Sequence, residues 1–501
     1  MAPPGSLPHV LAIDLGTTHL KAATVDPKGR LIRTGLREVA IHFPRPGWVE
    51  QDPYAYWGTV VDLVREVASG SAVEAVVLTG QRGSLIFVDG DGRPISAVVT
   101  WLDRRSENEA ASLRAAIDRM PEARGVILRR GPSVLSKVRW FSDHEPETVR
   151  RAARVLISVK DFVLYQLIGR WVTDIPQASL SGFYDTGRRS WHREVVAFGG
   201  LTPLQLIDLE SPVAIAGKLG SDIAAALDLP PGLPVVVGCG DAEAAHLGLG
   251  ALDLTTASMN LGTIGAVRAT CGSLPARKAE TFACVDMWPI GWIIGAMVRT
   301  AGALVRWLRD VWIKEPGWEF LAEAVRIPAG ADGLLVLPHF SGSGHPDIPQ
   351  ARGVIFGLAL HHHRAHVIRA CLEGVAIALA EALTDLEEAT GVRSRIRISG
   401  GGVRSPLWLQ IVADACNRPL EVPVASEASL VGAAMMAMVA IGVYPDLLAA
   451  ASSMVHVDRV VTPDPASAGV YREVRSKARH LMEALRPHFE AVVSPLPRET
   501  L

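Results

Sequence analysis

The sequence predicts an α/β protein built as two lobes of similar plan. Three observations predict this class. Apolar stretches of strand length alternate with segments of helical period along most of the chain. A strand, a glycine–threonine turn and a second strand follow one another near the amino terminus, and the same order returns after residue 250. At 501 residues the chain exceeds what one hydrophobic core supports, so we expect two or three domains.

Glycine and proline separate the predicted elements in the first half of the chain. An apolar strand at 10–14 enters Gly16, and a second strand at 21–25 ends in a turn at 26–29. A helix is predicted from Pro53 to Ala68, because proline suits the first turn of a helix and apolar side chains between 57 and 67 form one stripe. Further strands are predicted at 75–79, 85–88 and 97–100, followed by a helix at 104–120.

A proline-rich break at 230–234 (PPGLP) separates the two halves, and the opening pattern then returns. A strand at 235–238 leads to Asp241. A second hairpin follows, with strands at 258–261 and 266–269 on either side of a Gly-Thr-Ile-Gly turn. Later helices are predicted at 301–311, 364–390, 406–416 and 430–441, and an amphipathic helix docked on the surface is predicted at 467–490.

The composition excludes several classes of protein. With 49% hydrophobic and 20% charged residues, the chain is expected to fold rather than stay disordered. Its 50 basic and 52 acidic residues nearly cancel, so we expect no nucleic-acid partner. The start lacks the segments of a signal peptide, and the apolar stretches stop short of a membrane span, so no membrane partner is expected. Five widely spaced cysteines predict reduced, buried thiols and a cytoplasmic location.

Two turns have the composition of anion-binding sites. In residues 14–18 (DLGTT), a glycine lets backbone N–H groups approach an anion closely, and threonine hydroxyls add donors. Asp14 ends the preceding strand, where a carboxylate can hold Mg²⁺ directly or through water. Residues 260–265 (NLGTIG) have the same design. Each motif taken alone also suits an ordinary turn.

A third motif, residues 398–406 (ISGGGVRSP), joins an apolar strand to a helix. Ser405 suits the N-cap position and Pro406 the first helical position. The three glycines before them leave room for a flat ring or a phosphate against the backbone, although a triple glycine is also common in flexible loops. Three such motifs in this order, each at the end of a strand, favour a site for a ligand that carries phosphate.

With these motifs the chain resembles the FGGY carbohydrate kinases, within the superfamily that includes actin and hexokinase. The resemblance extends from about residue 9 to residue 442. Residues 137–141 (KVRWF) resemble the first signature of the family, and residues 353–358 (GVIFGL), with His366 and Glu373, resemble the second. The small residue expected four positions before the lysine is shifted here, and Cys371 departs from the residues usual at its position.

The resemblance implies two actin-like (ribonuclease H-like) lobes, with mixed sheets flanked by helices and a cleft between them. Residues 9–246 would form an N-terminal lobe that binds sugar and phosphate, and residues 247–445 a C-terminal lobe that binds the nucleotide. Residues 446–501 would form a helical tail. ATP and Mg²⁺ are the implied cofactors, a small-molecule sugar or polyol is the implied partner, and a homodimer is the assembly considered.

The resemblance also assigns roles to residues. Asp241 falls where the family keeps its catalytic base, and an aspartate there can accept the proton of an attacking hydroxyl, although without the resemblance a turn or helix-cap aspartate would be expected. The metal ligand would be Asp14. The implied nucleotide-binding residues are Thr17, Thr18, Lys21, Thr263, Gly302, Arg306, Gly401 and Ser405. The implied substrate-binding residues are Gln81, Arg82, Gly83, Trp101 and Asp103. A solvated helix position is the alternative for Arg306, and a core position is the alternative for Trp101.

The sequence defines the sugar or polyol that accepts the phosphoryl group less clearly than it defines the reaction. Xylulokinases usually have Met-His at the positions of Arg82 and Gly83, whereas glycerol kinases usually have Arg-Glu there. Glycerol kinases also have a tyrosine before the first signature, at the position of Pro132 in this chain. A glycine at position 83 leaves room for a longer substrate. We predict ATP-dependent phosphorylation of a sugar hydroxyl, with a pentulose such as xylulose as acceptor. The alternatives are a kinase for gluconate, glycerol or another polyol, and a non-catalytic, nucleotide-dependent sugar-binding protein.

Overall fold

A computed structural model describes residues 8–128, 131–274 and 282–491. The stretch at the start, where no signal peptide is predicted, lies almost wholly outside the described residues. The chain folds as two units. The first contains the residues up to Leu252, with Cys284–Ile293 and Glu427–Val455; the second contains Asp253–Ala283, Ile294–Ser426 and the residues from His456 onward. The lobe boundaries at 246 and 445 concern binding roles and stay a prediction.

A six-stranded mixed sheet forms the centre of the first unit. Its strands are β1 (His9–Leu15), β2 (His19–Val25), β3 (Leu31–Glu38), β4 (Val73–Gly80), β5 (Ile215–Lys218) and β6 (Pro234–Gly240). In space their order is β5-β6-β4-β1-β2-β3. β1 runs antiparallel to β2 but parallel to β4, and β4 runs parallel to β6. β1, β4 and β6 therefore end at the same edge, with Gly80 paired to both Leu15 and Gly240.

A second, seven-stranded mixed sheet has most of its residues in the second unit. Its strands are β7 (Thr256–Leu261), β8 (Gly265–Cys271), β9 (Ala283–Asp286), β10 (Trp292–Val298), β11 (Arg395–Ser399), β12 (Leu420–Pro423) and β13 (Val457–Val461). β7 runs antiparallel to β8 and parallel to β11, which in turn runs parallel to β12. β7, β8 and β11 thus repeat the arrangement of β1, β2 and β4, which confirms the prediction of two lobes of similar plan.

Helices flank both sheets. Those of the first unit are α1 (Pro53–Ala68), α2 (Glu107–Ile117), α3 (Val134–His144), α4 (Pro146–Arg151), α5 (Val159–Ile168), α6 (Ile175–Ser179), α7 (Arg193–Phe198), α8 (Ser221–Leu227) and α9 (Asp241–Gly248). The later helices are α10 (Gly302–Trp307), α11 (Arg364–Thr390), α12 (Pro406–Cys416), α13 (Ala428–Ala440), α14 (Leu447–Met454) and α15 (Pro465–Ala491), of which α13 and α14 belong to the first unit. In the described part of the chain, no helix has the length and apolar character to cross a bilayer.

Short elements complete both units. Two-stranded pairs join Glu50–Gln51 with Val98–Val99, Ile86–Val88 with Arg154–Leu156, Val172–Asp174 with Asp208–Glu210, Tyr184–Asp185 with Ser190–Trp191, Leu335–Leu337 with Val354–Phe356, and Ser343–Gly344 with Asp347–Ile348. Segments of 3₁₀ helix cover Pro121–Gly125, Pro203–Gln205, Glu319–Arg326, Ala331–Gly333 and Gly401–Arg404.

The local sequence determines where α1 begins and which of its faces is buried. The carboxylate of Asp52 accepts hydrogen bonds from two N–H groups of the first turn, at 2.8 and 3.1 Å, and Pro53 occupies the first helical position. The buried stripe of α1 includes Tyr56, Val60 and Val64, which pack in the core of the first sheet. The predicted bounds of α1, α11 and α12 are all confirmed.

Three predicted elements differ from the structure. The helix expected at 301–311 is confirmed only as far as Trp307, where α10 ends, and a π-helical turn, Leu308–Ile313, follows. Lys314 closes that turn in a left-handed conformation, with its N–H bonded to the Arg309 carbonyl at 2.7 Å. The strand expected at 97–100 is only Val98–Val99, and the helix expected from residue 104 begins at Glu107, since a hydrogen-bonded turn links Asp103 to Thr100.

The predicted tail helix is confirmed as α15. Its buried residues follow a helical spacing and dock against α11 and α12: they are Ala468, Tyr471, Ala478, Met482 and Phe489. The Tyr471 hydroxyl donates to Glu373 at 2.8 Å and accepts from Arg369 at 2.7 Å, so a buried polar group at the centre of this contact is satisfied.

Candidate active site

The first part of the candidate site lies in the first unit, at the edge where β1, β4 and β6 end. Asp14 stands near the end of β1, Arg82 follows β4, and Asp241 begins α9 directly after β6. Gly240 is the N-cap of α9, so Asp241 lies in the first turn, where the helix dipole favours a negative charge. Its Oδ1 accepts a hydrogen bond from the Ala242 N–H at 2.7 Å, and its side chain is 42% exposed.

The turn after β1 needs its glycine. A Cβ at Gly16 would lie 2.4 Å from the His19 carbonyl oxygen. The Thr17 hydroxyl donates to the Gln81 side chain at 3.0 Å and accepts from the Trp101 indole N–H at 2.9 Å. The structure therefore brings one predicted phosphate-binding residue together with two predicted substrate-binding residues. Thr18, next in the turn, is exposed.

Asp14 is almost fully buried, with 8% of its surface exposed. The pKa of its carboxyl is raised to about 6, chiefly by burial and then by the neighbouring Asp241 carboxylate, whereas Ser429 and Lys21 lower it. The Ser429 hydroxyl donates to Oδ2 at 2.7 Å. Among the described residues, the other oxygen, Oδ1, has no hydrogen-bond partner. Asp14 thus offers one unshared carboxylate oxygen beside a second carboxylate.

Two neighbours of this edge come from a distant part of the chain. α13 packs against α9 so closely that a Cβ at Gly432 would lie 1.8 Å from the Ala244 carbonyl oxygen. Because of this contact, Ser429 lies beside Asp14, and Glu427 pairs with Lys21, with 2.6 Å between Glu427 Oε2 and Lys21 Nζ. Neither residue could be predicted from the sequence, because no motif near Ser429 or Glu427 indicates these partners.

Arg82 is held by a residue that sequence analysis also missed. Its Nη1 donates to Glu243 Oε1 at 2.6 Å, and its Nε lies 4.0 Å from Asp241 Oδ1. Burial alone would lower the pKa of Arg82, but the carboxylates of Glu243 and Asp241 raise it. A Cβ at Gly240 would lie 2.4 Å from Glu243 Oε2 and 2.6 Å from Arg82 Cδ. Glycine at position 240 is therefore required for this pair to form beside Asp241.

The remaining predicted substrate residues lie nearby in the first unit. Gly83 has a left-handed backbone with φ of 73°, and its carbonyl accepts from Lys137 Nζ at 2.6 Å. The same Nζ donates to the Thr100 carbonyl at 2.7 Å, so the lysine of the first signature joins the segments that carry Gly83 and Trp101. Trp101 is 41% exposed, so the core alternative is wrong. Asp103 is buried, and its carboxylate accepts hydrogen bonds from the Val49 N–H and from Arg105.

The second part of the candidate site is a cavity of about 760 Å³ in the second unit. All the predicted nucleotide-binding residues of this unit line it, namely Thr263, Gly302, Arg306, Gly401 and Ser405. Its wall is mostly apolar and includes Trp318, Leu321, Val325 and Leu407. Cavities of this size and character bind small organic molecules. Trp318 was not predicted from the sequence; the Arg309 guanidinium lies over its ring, 4.6 Å from the ring centroid.

Close backbone contacts shape this cavity. The Gly302 N–H donates to the Gly262 carbonyl at 2.8 Å, and a Cβ at Gly302 would lie 2.8 Å from that oxygen. A Cβ at Gly402 would lie 2.4 Å from Leu261 Cγ, so the triple glycine lets its loop pack on the β7–β8 turn. Ser405 is the N-cap of α12 and accepts from the Trp408 N–H at 3.3 Å, as predicted. Arg306 Nη2 lies 3.4 Å from the Thr263 hydroxyl.

Known proteins resemble the chain over nearly its whole length. Residues 9–248 match the N-terminal domain, and residues 278–441 the C-terminal domain, of the FGGY family of carbohydrate kinases. A gluconokinase of Bacillus licheniformis is 28% identical over 510 residues, which cover 97% of this chain and 98% of that protein. A xylulose kinase of Escherichia coli (strain K12) is 27% identical over 484 residues, which cover 95% of this chain and 99% of that protein.

A solved structure extends the likeness to the fold. A ligand-bound xylulose kinase from Lactobacillus acidophilus superposes with a TM-score of 0.91 at 22% identity, over 97% of this chain and 99% of that one. At this identity the likeness concerns the fold alone. It confirms the predicted fold class, two actin-like lobes with mixed sheets flanked by helices.

Proposed function

The chain belongs to the FGGY family of carbohydrate kinases and is a phosphotransferase with an alcohol group as acceptor, and on this basis we propose that it phosphorylates a hydroxyl of a pentulose such as xylulose with ATP. One observation carries the proposal. Asp241, Arg82 and Asp14 converge at the edge where three parallel strands end. An exposed carboxylate beside a fixed guanidinium and a buried second carboxylate can bind, orient and deprotonate a hydroxyl.

Asp241 is the proposed general base. Its side chain is exposed, and its backbone is fixed in the first turn of α9, so the carboxylate can accept the proton of the attacking hydroxyl. Such proton transfer contributes about 10²–10⁴-fold to the rate. The larger contribution in phosphoryl transfer comes from positioning and charge, for which we propose Thr17, Thr18 and Lys21 as partners of the phosphates.

Asp14 is the proposed anchor for Mg²⁺. Its unshared oxygen suits a cation that prefers oxygen ligands and uses one or two carboxylates together with substrate phosphates. In the described part of the chain, no three His, Cys, Asp or Glu side chains are grouped to hold a metal ion, which agrees with a site completed by the nucleotide. When bound, Mg²⁺ would neutralise charge on the β- and γ-phosphates.

The cavity of the second unit is the proposed nucleotide pocket. Its apolar wall would pack on the adenine ring, and the backbone around Gly401 leaves room for a flat group. We propose Thr263 and Arg306 as further contacts to the nucleotide, with Gly302, Gly401 and Ser405. The lobe roles follow: residues 9–246 bind sugar and phosphate, residues 247–445 bind nucleotide, and residues 446–501 form the tail.

The charge around Arg82 supports a neutral acceptor. Because Glu243 pairs with Arg82 and Asp241 lies 4.0 Å away, the guanidinium offers hydrogen-bond donors without a surplus of positive charge. A carboxylate acceptor such as gluconate would lie near the exposed carboxylate of Asp241, while the guanidinium of Arg82 is already paired with Glu243. Exposed Trp101 can pack on the apolar face of a sugar, while Gly83 places no side chain there. Asp103, whose oxygens are bonded internally, remains a predicted contact.

Gluconate is the second candidate acceptor, because a gluconokinase is among the similar relatives. For glycerol, the carboxylate usual in glycerol kinases is absent at Gly83. All five cysteines are buried, and we propose the cytoplasm as the location of the enzyme. A homodimer remains a prediction.

A panel of acceptors tests the proposal. ADP release, coupled to NADH oxidation, would be measured with D-xylulose, D-gluconate, glycerol, erythritol and a hexulose. We expect the highest kcat/KM with D-xylulose; a higher value with any other acceptor would contradict the pentulose assignment.

The catalytic role of Asp241 is tested by Asp241→Ala, which should lower kcat by about 10²–10⁴-fold while nucleotide binding is retained. The matched control is Asp222→Ala, because Asp222 lies in the first turn of α8 after a glycine N-cap, as Asp241 does in α9. Activity of the Asp241 variant within tenfold of the wild type would overturn the assignment.

A further inference from the structure

A smaller cavity of the second unit, of about 180 Å³, lies between α11, α15 and the end of α12. It shares no lining residue with the nucleotide cavity. Four arginines line it, Arg393, Arg418, Arg472 and Arg475, and Glu387 is its only acidic lining residue. We call it the arginine cavity. The formal charge of its lining is therefore strongly positive, in a chain whose net charge is −2.

Two of the arginines are fixed by carboxylates. Arg418 Nη2 lies 2.9 Å from Glu387 Oε2, and its Nη1 donates to the Ser394 carbonyl at 2.8 Å. Arg475 Nε lies 2.7 Å from Glu381 Oε1, and its Nη2 donates to the Thr384 hydroxyl at 2.8 Å. Both guanidinium groups are thereby oriented in advance, which reduces the entropy lost when a ligand binds.

The other two arginines are exposed. Among the described residues, no carboxylate oxygen lies within 4.0 Å of a side-chain nitrogen of Arg393 or Arg472. Arg393 follows Gly391, which ends α11 in a left-handed conformation, and Arg472 lies on α15. The two belong to different elements that the fold brings to one concavity.

The charge of two arginines acts on a buried thiol of the cavity lining. Cys416 lines the cavity, and burial raises the pKa of its thiol to about 12, while Arg475 and Arg418 act in the opposite direction. A positive charge lowers the pKa of a thiol in this way only when the charge lies close to it. Thr384 also lines the cavity, and its hydroxyl accepts a hydrogen bond from Arg475.

A solvated helix face does not account for the four arginines. On such a face the side chains would point away from one another over a convex surface, whereas these come from the ends of α11 and α12 and from α15 and line one concavity. Nucleic acid needs a basic surface many residues long, and this cavity has about a quarter of the volume of the nucleotide cavity. Its size suits a single phosphate or a few carboxylates.

We propose that the arginine cavity binds a small anion with two or more negative charges, either a phosphate monoester or a polycarboxylate. Arg393 and Arg472 supply the uncompensated charge, and Arg418 and Arg475 supply donors held in place by Glu387 and Glu381. The planar guanidinium matches both phosphate and carboxylate through paired N–H donors, which gives strong, directional hydrogen bonds.

Calorimetric titration of the full chain tests the proposal. The protein is first saturated with ADP, so that the nucleotide cavity is filled and the readout does not depend on the kinase reaction. Three probes are titrated separately: inorganic phosphate, glucose 6-phosphate and citrate. We expect at least one to bind with a stoichiometry of one and with an affinity that falls as salt is added. The tightest probe identifies the source of the anion.

Two variants and a matched control decide the outcome. Arg393→Gln and Arg472→Gln should each weaken binding about tenfold or more, because each removes a charge-assisted hydrogen bond. Lys477→Gln removes an exposed cation of α15 that does not line the cavity, and it should bind like the wild type. Absence of binding by all three probes, or unchanged affinity in both arginine variants, would overturn the proposal.

Discussion

Glu243 fixes Arg82 in place: its Oε1 accepts the hydrogen bond from Nη1 at 2.6 Å, and its side chain is 1% exposed. Removal of one member of such a buried pair leaves the other uncompensated. Arg82 is 21% exposed and reaches toward Asp241, so its freed charge would act on whatever lies beside that carboxylate. Glu243 therefore controls the charge that Arg82 presents to an acceptor.

The first prediction concerns Glu243→Gln. The amide keeps the shape of the side chain but removes the carboxylate paired with Arg82, which leaves Asp241 Oδ1 at 4.0 Å. The positive charge of Arg82 is then less compensated, so kcat/KM for D-gluconate relative to D-xylulose should rise about tenfold, equivalent to about 1.4 kcal/mol. Both values would be measured by coupled ADP release. Glu210→Gln is the control, because it removes the 2.7 Å carboxylate partner of Arg170 elsewhere in the first unit. An unchanged ratio would show that the pair does not select the acceptor.

The second prediction concerns Ser405→Ala. The variant loses the N-cap of α12 at the cavity wall, so we expect the KM for ATP to rise and the free energy of unfolding to fall by about 1 kcal/mol. Asp446→Ala removes the N-cap of α14, where the Asp446 side chain accepts from Ala449 at 2.8 Å, and should change stability alone. Equal KM values for ATP in both variants would show that Ser405 does not contribute to nucleotide binding.

The sequence predicted best those elements whose ends are marked locally. α1 begins after Asp52 with Pro53, α12 begins after Ser405 with proline, and α11 ends at Gly391 in the left-handed conformation. The helix expected at 301–311 was predicted correctly only to Trp307, because the change from α to π hydrogen bonding after that residue depends on packing and does not alter the hydrophobic periodicity.

In the candidate site, too, the sequence predicted the residues that belong to local motifs and not those that depend on distant contacts. Glycine motifs at strand ends identified the turn at Gly16 and the loop that contains Gly402, since a Cβ at either position would clash with neighbouring atoms. Glu243 gave no signal, because its spacing from Asp241 suits any helix start. Glu427 and Ser429 reach the site only through the contact of α13 with α9, which no local pattern describes.

The third prediction concerns Trp101. Trp101→Ala removes the exposed ring and the indole bond to Thr17, so the KM for the acceptor should rise about tenfold, whereas Trp101→Phe should keep most of the packing surface and stay within about threefold of the wild type. Initial rates with varied acceptor at saturating ATP measure this. Trp288→Ala, at a tryptophan of the first unit that is 45% exposed, is the control. A larger effect on the KM for ATP than on the KM for the acceptor would show that Trp101 does not act mainly in acceptor binding.

The last prediction concerns Asp161, which is fully buried 4.0 Å from Lys160. Burial raises the pKa of its carboxyl to about 7; Lys160 opposes this shift and Asp174 adds to it. An acid whose folded pKa is raised contributes stability that is present below its ordinary pKa and is lost as pH rises through the folded value. Asp161→Asn should remove that loss, so relative to the variant the wild type should lose at least about 1 kcal/mol between pH 4 and pH 8.

Urea unfolding of both proteins across this range measures the difference, with Asp222→Asn as an exposed control in the same unit. Because the amide can still accept the hydrogen bond from the Ile157 N–H, at 3.1 Å, the two proteins should differ mainly through ionisation. Parallel stability profiles for wild type and Asp161→Asn would mean that Lys160 keeps the carboxylate ionised at all these pH values, and that the buried group has no raised pKa.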